Sequence, residues 1–215
     1  MGMKKMLMGL LCAGVIMMTT RAEALVIISE FLADPAPGLA GDANADGTVS
    51  SREDEFVELF NTGSSAVDLG GWEIADGYKT RHIFAEGDLL PAESYLVVFG
   101  GGVPALPDGV TAITASSGGL GLNNSGDVIR LWERGGVLAD EVNYGREGGQ
   151  DESLIRDPQL PSGAFVLHSE VDTQKRLFSP GSPVDNSAPV PEPGTLALML
   201  SGGLSLVVMR RKERV

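Results

Sequence analysis

The chain has 215 residues, enough for one domain or two small ones. It carries 29 Asp and Glu against 16 Lys and Arg, a formal charge of −13, which argues against a broad basic footprint for nucleic acid. Hydrophobic residues at 43% fit a folded chain, and Cys12, the only cysteine, excludes an internal disulfide and any cysteine-built zinc site.

Residues 1–24 read as a secretory signal. Lys4 and Lys5 form a charged start, Met6 to Met18 is apolar, and Ala22-Glu23-Ala24 supplies the A-x-A cleavage site. The alternative, a retained first anchor, wants a longer apolar run. Cys12 follows Leu11 rather than a small residue, so lipid attachment is not expected, and the mature body contains no cysteine.

The first strand signal is Leu25–Leu32, apolar and rich in β-branched residues. After it comes the sharpest chemical signal in the chain. Residues 42–53 satisfy the spacing D-x-[DN]-x-[DN]-G-x5-E at every specified position. Asp42, Asn44 and Asp46 offer side-chain oxygens, Thr48 a carbonyl, Ser50 a direct or water-mediated ligand, and Glu53 two oxygens at once. Gly47 permits the turn and Val49 is the apolar anchor. Ca²⁺ prefers six or more oxygens in adaptable geometry, so a structural Ca²⁺ is the expected cofactor. Pro35, Pro37, Gly38 and Gly41 precede the loop, so no entering helix is expected and the affinity should be weak, roughly 10⁻⁴ to 10⁻³ M. The competing reading is a solvated acidic turn.

Further strand signals follow at short intervals. Phe56–Phe60 alternates, with Val57 and Leu59 on one face and Glu58 on the other. Asn61-Thr62-Gly63 is turn chemistry. Trp72-Glu73-Ile74 alternates too, with Trp72 a core residue by size. Tyr95–Phe99 is wholly apolar and reads as a central strand. Asp127–Trp132 and Val137–Tyr144 flank Arg134-Gly135-Gly136, a hairpin signal. Ala164–Leu167 is a last strand candidate. With no helical stripe in the body, this is an all-β sandwich. Between residues 25 and 189 lie 26 acidic and 9 basic residues, a net charge of −17. Ser, Pro, Asn and Ala dominate from Phe178 to Pro193, which reads as a spacer.

The order Glu55-Phe56-Val57-Glu58-Leu59-Phe60-Asn61, Val67-Asp68-Leu69-Gly70-Gly71-Trp72, Leu90-Pro91-Ala92, Tyr95-Leu96-Val97-Val98 and Leu122-Asn123-Asn124-Ser125-Gly126-Asp127 resembles the lamin-tail domain. The closing Ser179-Pro180-Gly181-Ser182-Pro183 is typical of its bacterial members. The resemblance implies an immunoglobulin-like sandwich over residues 25–184, with a binding or anchoring role and no defined catalysis. The calcium loop is then an insertion between its first two strands, and residues 185–190 remain as spacer.

At the other end, Pro191-Glu192-Pro193 is followed by 15 uncharged residues, Thr195 to Met209, and then Arg210, Arg211, Lys212 and Arg214. As a helix the run spans roughly 22 Å, short of the roughly 30 Å hydrocarbon core unless neighbours such as Gly194 contribute. The basic tail would stay cytoplasmic. A buried C-terminal helix rarely ends in such a basic cluster. Residues 191–215 resemble the PEP-CTERM sorting signal of Gram-negative bacteria. That implies recognition by an exosortase cutting near Pro191–Pro193, passage through the inner membrane, and a cell-surface or matrix destination linked to exopolysaccharide.

Catalytic constellations are sparse. His82 and His168, the only histidines, read as surface or edge residues, and no G-x-S-x-G elbow or paired-histidine metal motif is present. Asp140-Glu141 and Asp151-Glu152 are the available acidic pairs. The expectation is a non-catalytic surface or matrix module that meets signal peptidase and exosortase, and then polysaccharide or surface proteins. The alternative is an accessory module or cryptic hydrolase acting on extracellular polymers.

Overall fold

Alternating apolar residues need two layers to bury them, and the chain supplies two sheets. The computed structural model describes residues 26–156 and 163–184. The signal segment with Ala22 and Ala24, the spacer 185–190, and Pro191, Glu192, Pro193 with the apolar run 195–209 lie outside the described residues. Among the described residues no helix is long and apolar enough to cross a membrane.

The strands are β1 Val26–Leu32, β2 Phe56–Asn61, β3 Val67–Asp68, β4 Glu73–Ala75, β5 Thr80–Ile83, β6 Leu89–Leu90, β7 Tyr95–Phe99, β8 Thr111–Thr114, β9 Asp127–Trp132, β10 Leu138–Tyr144, β11 Leu154–Arg156 and β12 Phe165–Leu167. The one α-helix described, α1, is the single turn His168–Val171. One sheet has the order β12-β11-β1-β2-β7-β8, the other β10-β9-β4-β5, and β3 pairs with β6 beside them. All pairs are antiparallel except β7 with β8. The hairpin between β9 and β10 turns where Gly135 and Gly136 adopt φ of 94° and 81°, a region glycine enters without strain.

Between the sheets lies the main core. Val26, Ile28 and Phe31 of β1, Val57 and Leu59 of β2 and Val98 of β7 face Ile74, Ile129, Leu131 and Val142, with Trp72 among them. The spacing of Ile28 and Phe31 breaks strict alternation. A bulge between Ile28 and Glu30 absorbs the odd residue and turns Glu30 to the opposite face.

That opposite face is buried too. Leu32, Ala43, Phe56, Val97 and Phe99 form a second cluster, covered by Leu106, Val110, Ala112 and Phe178. This explains the uninterrupted apolar run of β7 and places Glu58 at 1% exposure. Phe178 and Ser179, read from composition as the start of a spacer, belong instead to this cover, and Ser179 is buried.

The surface placement expected for both histidines is corrected. His82 does lie on an edge strand, yet it is 5% exposed, because the 115–118 turn folds over β5. The Ser116 amide donates to His82 Nδ1 at 3.2 Å and the Ser117 amide to the Arg81 carbonyl at 3.1 Å. Burial holds the His82 imidazole below its ordinary range. His168 is 0% exposed.

Asn61 performs the turn chemistry its sequence promised. Its Oδ1 accepts from the Gly63 amide at 2.9 Å, and its Nδ2 shares its two hydrogens among the carbonyls of Ser65, Leu90 and Pro91 at 2.9, 3.1 and 3.0 Å. Asn61→Ala leaves several of these groups unsatisfied in a buried place and is expected to cost about 2 kcal/mol in urea unfolding. The alanine methyl can neither donate nor accept, so a cost under about 0.5 kcal/mol would show that water replaces the amide.

Candidate functional site in the loop after the first strand

The chain leaves β1, makes a short 3₁₀ turn at Gly38–Gly41 and enters the 42–53 loop, so no entering helix forms. Three polar side chains fold the loop onto itself. Asp42 Oδ2 accepts from the Gly47 amide at 3.0 Å, Asn44 Oδ1 from the Asp46 amide at 2.9 Å, and Asp46 Oδ1 from the Thr48 amide at 2.8 Å. Ser50 Oγ accepts from the Glu53 amide at 3.2 Å. Gly47 has a φ of 86°, as the turn position requires.

The residue that anchors the loop is Asp54, which the twelve-residue pattern leaves out. It is fully buried, with Oδ1 accepting from the Asn44 amide at 3.1 Å and Oδ2 from the Ser50 amide at 2.8 Å. Burial raises its carboxyl above the ordinary range, opposed by these same hydrogen bonds. The other missed partner is the run Gly100-Gly101-Gly102, which lies against the loop. A Cβ on Gly100 would collide with the Arg52 carbonyl, and one on Gly102 with the side chains of Asn44 and Asp46. Three adjacent glycines after an apolar strand were the available signal. The Val103 amide also donates to Asp46 Oδ2 at 3.1 Å.

Asp42, Asn44 and Asp46 are thus brought together, and Glu53 stands over the same glycine run, its side chain beside Gly101. Thr48 is exposed and Ser50 half-buried. Among the described residues, no three His, Cys, Asp or Glu side chains are close enough to hold a metal ion as they stand. One observation fits a cation nonetheless: Asp42 Oδ1 is buried and accepts no hydrogen bond. The donor set, carboxylates with an amide, a hydroxyl and a carbonyl, is the hard-oxygen set that suits Ca²⁺.

Asp140, Glu141 and Glu152 of the acidic pairs have structural partners. Asp140 Oδ2 accepts from the Ile28 amide at 2.8 Å and pairs with Arg156, Glu141 pairs with Arg130 at 2.6 Å, and Glu152 accepts from the Ser169 amide at 2.7 Å. A Glu30–Ser179–His168 chain of hydrogen bonds has the residue types of a nucleophile and its base. All three are buried, so it ties the segment from His168 to Ser179 onto β1 rather than meeting solvent. An open groove of about 210 Å³ lies at the start of β7 and β8, between Pro91, Glu93, Ser94 and Tyr95 on one side and Gly109, Val110, Thr111 and Gly181 on the other.

The all-β, two-sheet body agrees with the comparison to known families. Residues 19–146 match the Lamin Tail Domain, 128 of 215 residues. The chain belongs to the lamin-tail-domain family. Lamin-tail domains are immunoglobulin-like binding or structural modules of a non-catalytic type. The match ends at Arg146, whereas the sheet continues: β11 pairs with β1, and β12 with β11. Residues 189–212 match the PEP-CTERM protein-sorting motif. That motif marks an exported protein processed by an exosortase and sent across the membrane to the cell surface in Gram-negative bacteria. No curated protein matches the chain.

Proposed function

We propose that the lamin-tail body is a non-catalytic adhesive or structural module of the cell surface or extracellular matrix, associated with exopolysaccharide. The observation that carries this reading is the pairing of a binding-type domain with a sorting motif at residues 189–212. Signal peptidase would cut after Ala24. Residues 195–209 would then hold the chain in the inner membrane until an exosortase acts near Pro191–Pro193. The groove at Pro91 and Tyr95 supports a saccharide partner, since it sets apolar side chains beside the Glu93 carboxylate and the Thr111 hydroxyl. A body with a net charge of −17 favours neutral sugars over anionic ones. Asp42, Asn44, Asp46, Thr48, Ser50 and Glu53 would hold a structural Ca²⁺, and the unpartnered Asp42 Oδ1 supports this.

Intact-mass analysis of the protein from its native host is expected to give a body that begins near Leu25 and ends near Pro193. A full-length chain still embedded in the inner membrane at steady state would overturn the processing scheme.

A further inference from the structure

Glu30 and Glu58 are register partners on β1 and β2, buried at 0% and 1% exposure. Among the described residues neither carboxyl pairs with an arginine or lysine. The chain after β12 covers them. Glu30 Oε1 accepts from Ser153 Oγ at 2.6 Å and from the Ser179 amide at 2.9 Å, and its Oε2 lies 2.9 Å from Ser179 Oγ. Glu58 Oε2 accepts from the Gly181 amide at 2.6 Å.

Counting hydrogens fixes what this seam needs. His168 Nδ1 lies 2.9 Å from the Arg176 carbonyl, which only accepts, so Nδ1 carries a hydrogen. His168 Nε2 lies 2.9 Å from Ser179 Oγ, which has one hydrogen for two neighbours. The Ser179 hydroxyl thereby ties the covering segment to Glu30 and to His168 at once. At the second carboxyl, Ser29 Oγ lies 2.6 Å from Glu58 Oε1 and 3.3 Å from the Glu58 carbonyl. A protonated Glu58 donates to Ser29, which donates on to that carbonyl, and every group is satisfied.

We propose that residues 168–181 form a latch held closed by a proton on Glu58, and that rising pH opens it. As that proton leaves for a solvent base, Glu58 becomes a buried anion opposite the Glu30 carboxyl, its register partner. The charged and titratable groups around the seam are Glu30 and Glu58 on β1 and β2, Tyr95 on β7, Glu152 ahead of β11, and His168, Glu170, Asp172, Lys175 and Arg176 on the covering segment. Neither cation of that segment pairs with Glu58: Arg176 pairs with Asp172 at 2.8 Å, and Lys175 Nζ donates to the Ser169 carbonyl at 2.6 Å. Burial, with the Glu30 charge second, pushes the Glu58 carboxyl well above the ordinary range. The sign follows: a raised folded value stabilises the closed latch below the ordinary carboxylate range, and that stabilisation is lost as pH climbs through the raised value. Gly181 also lines the groove, so opening remodels it.

Hydrogen exchange of the full chain in mild detergent tests the latch, comparing amides of Leu177–Ser182 with those of β7 in the same molecule. Between pH 6 and pH 9.5 the relative protection of Leu177–Ser182 is expected to fall at least tenfold in the wild type. In Glu58→Gln, which keeps a donor for Ser29 and an acceptor for Gly181 but has no proton to lose, the fall should be under threefold. A flat wild-type ratio would overturn the proposal, and so would an equal fall in Glu58→Gln. If that variant fails to fold, the wild-type ratio alone decides.

Discussion

Phe31→Ala is expected to destabilise the body by about 3–5 kcal/mol, the cost of emptying a large aromatic site in a closed core. Phe31 is 0% exposed, on a strand flanked by β11 on one side and β2 on the other. Its ring centroid lies 4.7 Å from that of Tyr144 and 5.5 Å from that of Phe165, so it joins β10 of the second sheet to β12. The neighbours are held by strand pairing and cannot collapse into the void, which puts the cost at the upper end of large-to-small changes. At roughly 2–4 °C per kcal/mol for a domain of this size, the melting temperature should fall by about 10–15 °C. Leu39→Ala, at a position 78% exposed, should move it by less than about 2 °C. Urea unfolding of the three proteins gives the numbers. A loss below about 1.5 kcal/mol for Phe31→Ala would mean that β12 is an appendage to the family domain and not a wall of its core.

The parts of this fold that were legible in the sequence are those where one face alone decides the pattern. The β9–β10 hairpin shows alternation on both arms and two glycines where the backbone needs positive φ, and it formed where expected. Strands β5 and β8 were not legible. Thr80–Ile83 and Thr111–Thr114 are short, and their polar residues look like loop until the neighbouring backbone is known. Glu58 was placed on the right side of its strand, but alternation says which face a residue takes and not whether that face is wet. The cover over it is made by Ser179, Pro180 and Gly181, whose composition is that of a linker, and only the tertiary structure shows Ser179 bonded to Glu30. A better signal was present in the strands themselves: two glutamates among apolar residues on β1 and β2. The loop was legible in its spacing and illegible in its support, since Asp54 falls one place beyond the twelve-residue pattern.

Asp54→Ala is the sharpest test of that support and of the proposed cation together. The change strands the buried amide of Asn44 and the half-buried amide of Ser50, and at about 1–3 kcal/mol for each lost partner a cost of about 3 kcal/mol is expected. It should also abolish any response to Ca²⁺, because the chain could no longer hold Asp42, Asn44 and Asp46 in one turn. In the wild type, an ion bound only by the folded body adds RT ln(1 + [Ca²⁺]/Kd), roughly 1.4 kcal/mol at ten times Kd, and raises the melting temperature by about 3–6 °C. Glu53→Gln separates ligation from folding of the loop. It removes one carboxylate and leaves Asp54 in place, so it should keep most of the stability without Ca²⁺ and lose most of the gain with it. Asp108→Asn is the charge control, since Asp108 is exposed and outside the loop, whereas Asp140 is tied to Arg156. Thermal melts of the four proteins in millimolar Ca²⁺ and in EGTA distinguish the cases. Equal gains in wild type and Glu53→Gln would assign the effect to screening of a body with a net charge of −17, and residues 42–53 would then be an acidic turn that Asp54 holds shut without an ion.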